Sequence, residues 1–385
     1  SQVAVGHKAL FANTTGGNNT AVGHSALIAN TTAGFNTAVG DKAMQTNTTG
    51  TNNTAIGHQA LNKNTTGGLN TGLGLNALFN NTTASNNTAV GHSSLFANTT
   101  GTDNTAVGFD ALGDNTTATG NTAVGWSSLS LNTTGFASTA IGASALIAQT
   151  TGFSNTAVGH NTLDANTTGN QNTGVGKSSL SGNTTGTQNT AVGMSSLFAN
   201  TTGIANTAVG WQCLEDTTTG NNNTAVGFQT LNKNTTGEQN VAVGGFALDA
   251  NTTGLYNTGV GYVSLTAVTT GERNVAVGRS SGQTITTGRF NVFLGYDANG
   301  TSATTDGANV IGYSVSGAVG YTTLGQQASD IRAAHGSITW ATVSDERYKK
   351  DIEHSTAGLN FVNDLKPRTF NYRNKGDLPT TFAAY

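Results

Sequence analysis

Charge is what this chain is short of: 9% of its 385 residues are Asp, Glu, Lys or Arg, and the formal net charge is -3. That balance offers neither the basic face a nucleic acid needs nor an acidic tail. Proline is nearly absent, with 2 residues against 52 glycines, a ratio of fibrous and solenoid chains rather than of ordinary domains. The one cysteine, Cys213, excludes an intrachain disulfide and stands where other repeats carry Ala, Ser or Thr, so it reads as a small filler. No apolar run approaches the roughly 20 residues of a membrane span. No signal-peptide pattern opens the sequence, and Ser1 enters in the middle of a repeated phrase, so a start upstream is expected.

What the chain has instead is a period. The phrase Asn-Thr-Ala-Val-Gly, first complete at residues 19–23, returns at a constant interval, placing its glycine at Gly6, Gly23, Gly40, Gly57 and so on to Gly312. Nineteen glycines keep that spacing of seventeen without an insertion. So strict a repeat predicts stacked identical units, a parallel β-solenoid with one coil per repeat. The residue before the glycine is Val, Ile or Leu in all nineteen units, and the one before that is Ala or Gly in seventeen. Such alternation reads as a short strand with a large and a small face. Because Val241, Val275 and Val292 replace the Thr of the phrase, the Thr and Val22 side is expected to face the interior. Four residues after the glycine stands Leu, or Met44, in the first sixteen units, which would close the interior from a second strand.

The Asn-Thr-Thr-Gly phrase supplies the turn, with Gly16, Gly50 and Gly67 suited to a positive φ. Asn19, Asn36 and Asn53, and in parallel Asn13 and Asn30, fall once per coil and are expected to form hydrogen-bonded ladders. Eighteen steps of about 4.8 Å give a rod of roughly 85 Å. One Val and one Leu per coil return about 3 to 6 kcal/mol, against an ordering cost of roughly 1 to 2 kcal/mol for each residue. That deficit predicts an oligomer, with the small residues Ala21, Ala38, Ala55, Gly72 and Ala89 against neighbouring chains.

The repeated Asn-Thr-Ala-Val-Gly, with Asn-Thr-Ala-Ile-Gly at residues 53–57, resembles the head repeat of YadA-type trimeric autotransporter adhesins over residues 3 to about 312. The resemblance implies a trimer of left-handed parallel β-rolls. After Arg279 the pattern fades: Gly282, Asn299 and Ser316 replace the Leu, and Phe293 and Val310 the small residue, which reads as a tapering cap. Of the 35 charged side chains, 15 lie in residues 326–385, so a different domain follows. We therefore expect a solenoid shaft over 1–312, a transition over 313–343 and a small α+β segment over 344–385, the last shorter than a full domain of the kind described next.

That segment opens with Ser344-Asp345-Glu346-Arg347-Tyr348-Lys349-Lys350-Asp351-Ile352 and resembles the intramolecular chaperone of phage tailspikes and tail fibres, the endosialidase-type self-cleaving peptidases. Leu359, Val362 and Leu365 share one side of a helix that Pro367 stops, and Thr369–Tyr372 reads as a strand. The resemblance implies a trimerising assembly domain, and places a nucleophile at Ser344 and its base at Lys349 for a single-turnover cut of the Val343–Ser344 bond. A lysine serves as that base when burial or nearby cations lower its pKa. The plainer alternative makes Ser344 a helix cap before Asp345 and Glu346.

Within the repeats no nucleophile-base arrangement, phosphate loop or paired acid recurs, so no turnover enzyme is expected there. No cofactor is expected. No metal site is either, because His7, His24, His58, His92 and His160 share the site after the glycine but only His7 and His24 are on consecutive coils. Asn-Thr-Thr matches the glycosylation acceptor, but turn chemistry accounts for it. Aromatics at the same variable site, Phe109, Trp126, Trp211 and Tyr262, are candidates for stacking on sugars. Three functions stay open: the extracellular shaft of a phage or phage-like tail fibre carrying a receptor-binding region, a YadA-type surface adhesin, or an ice-binding solenoid presenting its Thr pairs. The partners expected are two further copies of the chain and a host or cell-surface receptor such as a glycan.

Overall fold

Each Thr-Ala-Val phrase forms a short strand, and each strand pairs in parallel with the strand of the next repeat, Ala21 beside Ala38 and Ala38 beside Ala55. The computed structural model describes residues 1–337 and 341–342, which form one unit within Ser1–Thr342. Ser344, Lys349 and the α+β segment expected around them lie outside the described residues. The register continues from Gln2–Val5 through Val292–Leu294 to Asn309–Tyr313 in a single parallel sheet. The fold is thus an all-β parallel solenoid, and no helix occurs among the described residues.

The coil inverts the expected faces. Ala21, Ala38, Ala55, Gly72 and Ala89, anticipated against other chains, are buried inside their own solenoid. Val22 and Thr20, anticipated inside, point outward, as do Val241, Val275 and Val292. The reason is thickness. A Cβ on Gly72 would lie 3.5 Å from Leu61 Cγ, so the opposite wall already fills the interior and leaves the strand room for a methyl group but not for Val. The close neighbour that small residues require is the chain's own leucine row.

That leucine row is not on a second strand. From Gly23 to Leu27 every second residue is left-handed, with φ of 140° at Gly23, 56° at Ser25 and 49° at Leu27. The coil turns through this stretch while its N–H groups reach both neighbours: Ser25 donates back to His7 (2.9 Å) and Leu27 forward to Ala43 (3.1 Å). A left-handed Leu costs about 1 to 2 kcal/mol, and bonds of this kind on each coil offset it. At the repeated glycine the constraint is double. A Cβ on Gly6, at φ 125°, would lie 2.6 Å from the carbonyl oxygen of Gly23. Gly16, Gly50 and Gly67, by contrast, are not at positive φ. They are small for space: a Cβ on Gly16 would lie 2.6 Å from Asn13 Oδ1.

Two buried Asn ladders run along the stack, the first from Asn19 to Asn291 and the second as far as Asn251, beyond which Val268 and Ile285 take its place. The Asn36 backbone N–H donates to Asn19 Oδ1 (3.0 Å), and its side-chain amide donates to the Gly50 carbonyl (2.9 Å). In the second ladder Asn47 Nδ2 donates to Asn30 Oδ1 (3.0 Å) and to the same Gly50 carbonyl (3.0 Å). Both amides thus converge on one turn carbonyl per coil, which leaves few buried polar groups unmatched. One coil departs in both ladders at once, with Ser138 a shorter member and Gln149 a longer one. Gln149 Nε2 donates to Ser138 Oγ (3.3 Å), and its Oε1 accepts from Asn155 Nδ2 (2.9 Å), restoring the network.

The core exchanges volume where the repeat fades. Gly282 stands in the leucine row, and the buried Phe293 replaces the strand Ala of the next coil. A Cβ on Gly282 would lie 2.9 Å from Phe293 Cδ2, so the ring occupies the missing leucine's space from the opposite wall. Beyond Tyr313 the step shortens: Asn309 pairs with Thr322, where the earlier spacing would have set it beside Gln326, and Tyr321–Gln326 then pairs antiparallel with Ser329–Ala334.

Candidate functional site

With small residues, leucines and asparagines turned inward, the surface consists of repeated columns, each presenting one residue per coil. The residue after the strand glycine forms the most varied one. Its neighbours interact along the rod: His7 stacks on His24 (5.4 Å), His92 on Phe109 (5.2 Å) and Trp211 on Phe228 (4.9 Å). Where Gly245 interrupts the column, Phe246 turns in edge-on to both Phe228 and Tyr262. Rings stacked one step apart turn faces toward one another, whereas Trp126, with Ala143 on the next coil, makes no ring stack and is 55% exposed. Arg279 lies between Tyr262 and Tyr296, and on the other flank of the strand Arg273 lies between Tyr256 and Phe290. These sandwiches were not legible as such, because the partners are a full repeat apart in sequence and adjacent only in the stack.

The same column places Asp41 between His24 and His58, a neighbour that counting histidines alone overlooks. His24 Nδ1 lies 2.8 Å from Asp41 Oδ1 and His58 Nε2 3.4 Å from Oδ2. The hydrogen bond from His24 holds the Asp41 carboxyl below its usual range, with Lys42 and the imidazoles adding to it and partial desolvation opposing. Among the described residues no group of three or more His, Cys, Asp or Glu is arranged to hold a metal ion.

The Thr pair does not form a two-column array. Thr31 Oγ1 donates to the Thr48 carbonyl of the next coil (3.2 Å), leaving Thr32 as the exposed member. The Asn of each Asn-Thr-Thr phrase, Asn30 or Asn47, is buried and hydrogen-bonded, so turn and ladder chemistry occupies the glycosylation-like triplets. Cys213 is buried, its thiol donates to the Ala225 carbonyl (3.2 Å), and burial pushes its pKa up to about 12. It fills its place as an inert group.

The outward strand face is the surface that sequence reading assigned to the interior. Ile56 is 39% exposed, Leu73 43% and Val175 36%, in a column that is aliphatic in every coil.

No curated protein and no solved structure matches the chain. Among the described residues no helix is long and apolar enough to cross a membrane. Residues 344–381, which include both Ser344 and Lys349, match the family described as chaperone of endosialidase.

Proposed function

We propose that the chain is the shaft of a trimeric phage or phage-like tail fibre, an extracellular rod that holds a receptor-binding region away from its particle. The observation that carries this reading is the order of parts: a parallel solenoid is followed, after a short antiparallel stretch, by a segment matching the endosialidase chaperone family. A solenoid of such short coils has a thin core, one leucine and two small residues per coil around Leu27, and gains from being assembled by a dedicated domain.

The chaperone segment adds one chemical step. The Ser344 hydroxyl attacks the Val343 carbonyl carbon as Lys349 takes its proton, the amide C–N bond breaks to leave an ester and a free Ser344 amine, and water hydrolyses the ester. Hydrogen-bond donors around the developing oxyanion are required, and loss of one typically slows such reactions about 100-fold or more. The test is to express the full-length gene, follow chain mass over time and determine the assembled mass by sedimentation, beside Ser344→Ala and Lys349→Ala. A trimer whose chain is cut before residue 344 in the parent, and left whole in both variants, is the expected result. A stable single-chain rod would refute the fibre reading, and cutting that persists in Ser344→Ala would refute the nucleophile.

A further inference from the structure

We infer that the outward strand face, formed by Thr20 and Val22 and their equivalents in every coil, is the surface on which copies of this chain pack together, parallel and in register. The inference rests on the fibre reading above and names the surface that serves it.

The first argument is constancy without an internal cause. Ala21, Leu27 and Asn36 recur because they are buried, but the second outward position is half-buried, as at Val22, or exposed, as at Leu73, and is nonetheless Val, Ile or Leu in all nineteen coils. Strand propensity does not account for this, since Leu73 and Leu294 are not β-branched and Thr, an equally good strand former, never stands there. The flanking exposed columns vary freely. One holds His24, Asp41, Leu75, Trp126 and Lys177; the other holds Asn18, Phe35, Asp103 and Arg273. A position that holds only aliphatic residues while exposed to solvent in some coils and never fully buried in any is one that something covers.

The second argument is charge and size. Neither outward strand position carries a charge in any coil from Val3 to Ile311. Eighteen steps of about 4.8 Å along the rod, by roughly 10 Å across three residues, make an uncharged strip on the order of 850 Å². A stable interface takes about 800 Å² from each partner, and contiguous apolar patches of several hundred Å² on soluble proteins mark interaction surfaces.

The third argument identifies the occupant. A partner that touches every step must share the solenoid's own repeat along the whole strip, and a second copy of this chain does so by construction. Parallel packing about an axis along the rod sets equivalent coils at equal height, and it brings the C-terminal segments to the same end.

The test uses the full chain with single cysteines. Val175→Cys sits on the face and Lys177→Cys, two residues on, sits on the freely varying column; Cys213 is buried and contributes little background. Maleimide labelling of the assembled protein should be at least tenfold slower at Val175→Cys than at Lys177→Cys, and should become equal after denaturation. A second pair of variants reads assembly itself: Val158→Glu, Val175→Glu and Val192→Glu together should reduce the sedimenting mass toward one chain, whereas His160→Glu, Lys177→Glu and Met194→Glu should leave it unchanged. Should the triple face variant fail to fold, the labelling comparison still decides. An assembled parent in which both cysteines label equally fast would overturn this surface while leaving the fibre reading intact. A parent that sediments as one chain would overturn both, and would leave the strip free for a periodic lattice such as ordered water.

Discussion

Replacing Thr217 by Asn should stabilise the solenoid, because it closes a gap in a buried ladder. Asn200 Oδ1 is buried and has no hydrogen-bond partner, since the next member of its ladder is Thr217, which has no amide to donate. Two steps earlier the ladder is whole, with Asn183 Nδ2 donating to Asn166 Oδ1 at 2.8 Å and to the Gly186 carbonyl at 3.1 Å. An Asn at 217 would supply the same two donors to Asn200 Oδ1 and the Gly220 carbonyl. Its oxygen would also replace the long contact that Asn234 Nδ2 now makes with Thr217 Oγ1 (3.4 Å). Satisfying one buried acceptor is worth about 1 to 3 kcal/mol. Loss of the Thr methyl costs roughly 0.8 kcal/mol, so the net gain should be about 0.2 to 2 kcal/mol. Long repeat arrays open locally and do not unfold in one step, so the assay is amide hydrogen exchange. Protection at residues 200, 217 and 234 should rise, by up to about thirtyfold at about 1.4 kcal/mol per decade, while coils near Ala55 stay unchanged. The converse substitution, Asn183→Thr, should lower protection around residue 166 by a similar factor. Unchanged or reduced protection in Thr217→Asn would show that the ladder is not what holds neighbouring coils together.

Ser138 and Gln149 should behave as a coupled pair. Gln149→Asn alone removes the amide hydrogen bond to Ser138 Oγ and one acceptor of Asn155 Nδ2 and should cost about 1 to 3 kcal/mol, whereas Ser138→Asn with Gln149→Asn recreates the usual coil; exchange at residue 155 across the double-mutant cycle should give a coupling of about 1 to 3 kcal/mol, and additive effects would refute it. Phe293→Ala should open a cavity costing about 3 to 5 kcal/mol, and Gly282→Leu in the same chain should recover most of it, since Gly282 at φ 67° already has the left-handed backbone that Leu adopts in other coils; thermal melts of the single and double variants decide. For Cys213 the folded pKa is raised from 9.0 to about 12, so its contribution to stability is complete below pH 9 and is lost as pH rises toward 12. The thiol should resist a disulfide reagent at pH 8 until the coil opens, and Cys213→Ala should flatten the alkaline decline; rapid labelling of the folded chain would contradict the burial.

The sequence by itself determined the architecture, because a fixed period kept from Gly6 to Gly312 without insertion admits only stacked coils, and one Asn per coil at a fixed site admits only a ladder. It also marked where the repeat fades, through the loss of the leucine row at Gly282, although the parallel pairing continues past it to Tyr321–Gln326. It could not determine which face of the strand is inside. Alternation of Ala and Val states that two sides differ, and the thickness of the coil, set by the leucine on the opposite wall, decides that only the smaller side fits between them. Nor could it place that leucine on a turn, since Leu is not a turn residue and its left-handed backbone is held by hydrogen bonds to the neighbouring coil, such as Leu27 to Ala43. The stacked column of aromatic, His and Arg side chains and the aliphatic strip belong to the same class. Each is made of residues far apart along the chain, and only the winding of the coil brings them to one surface.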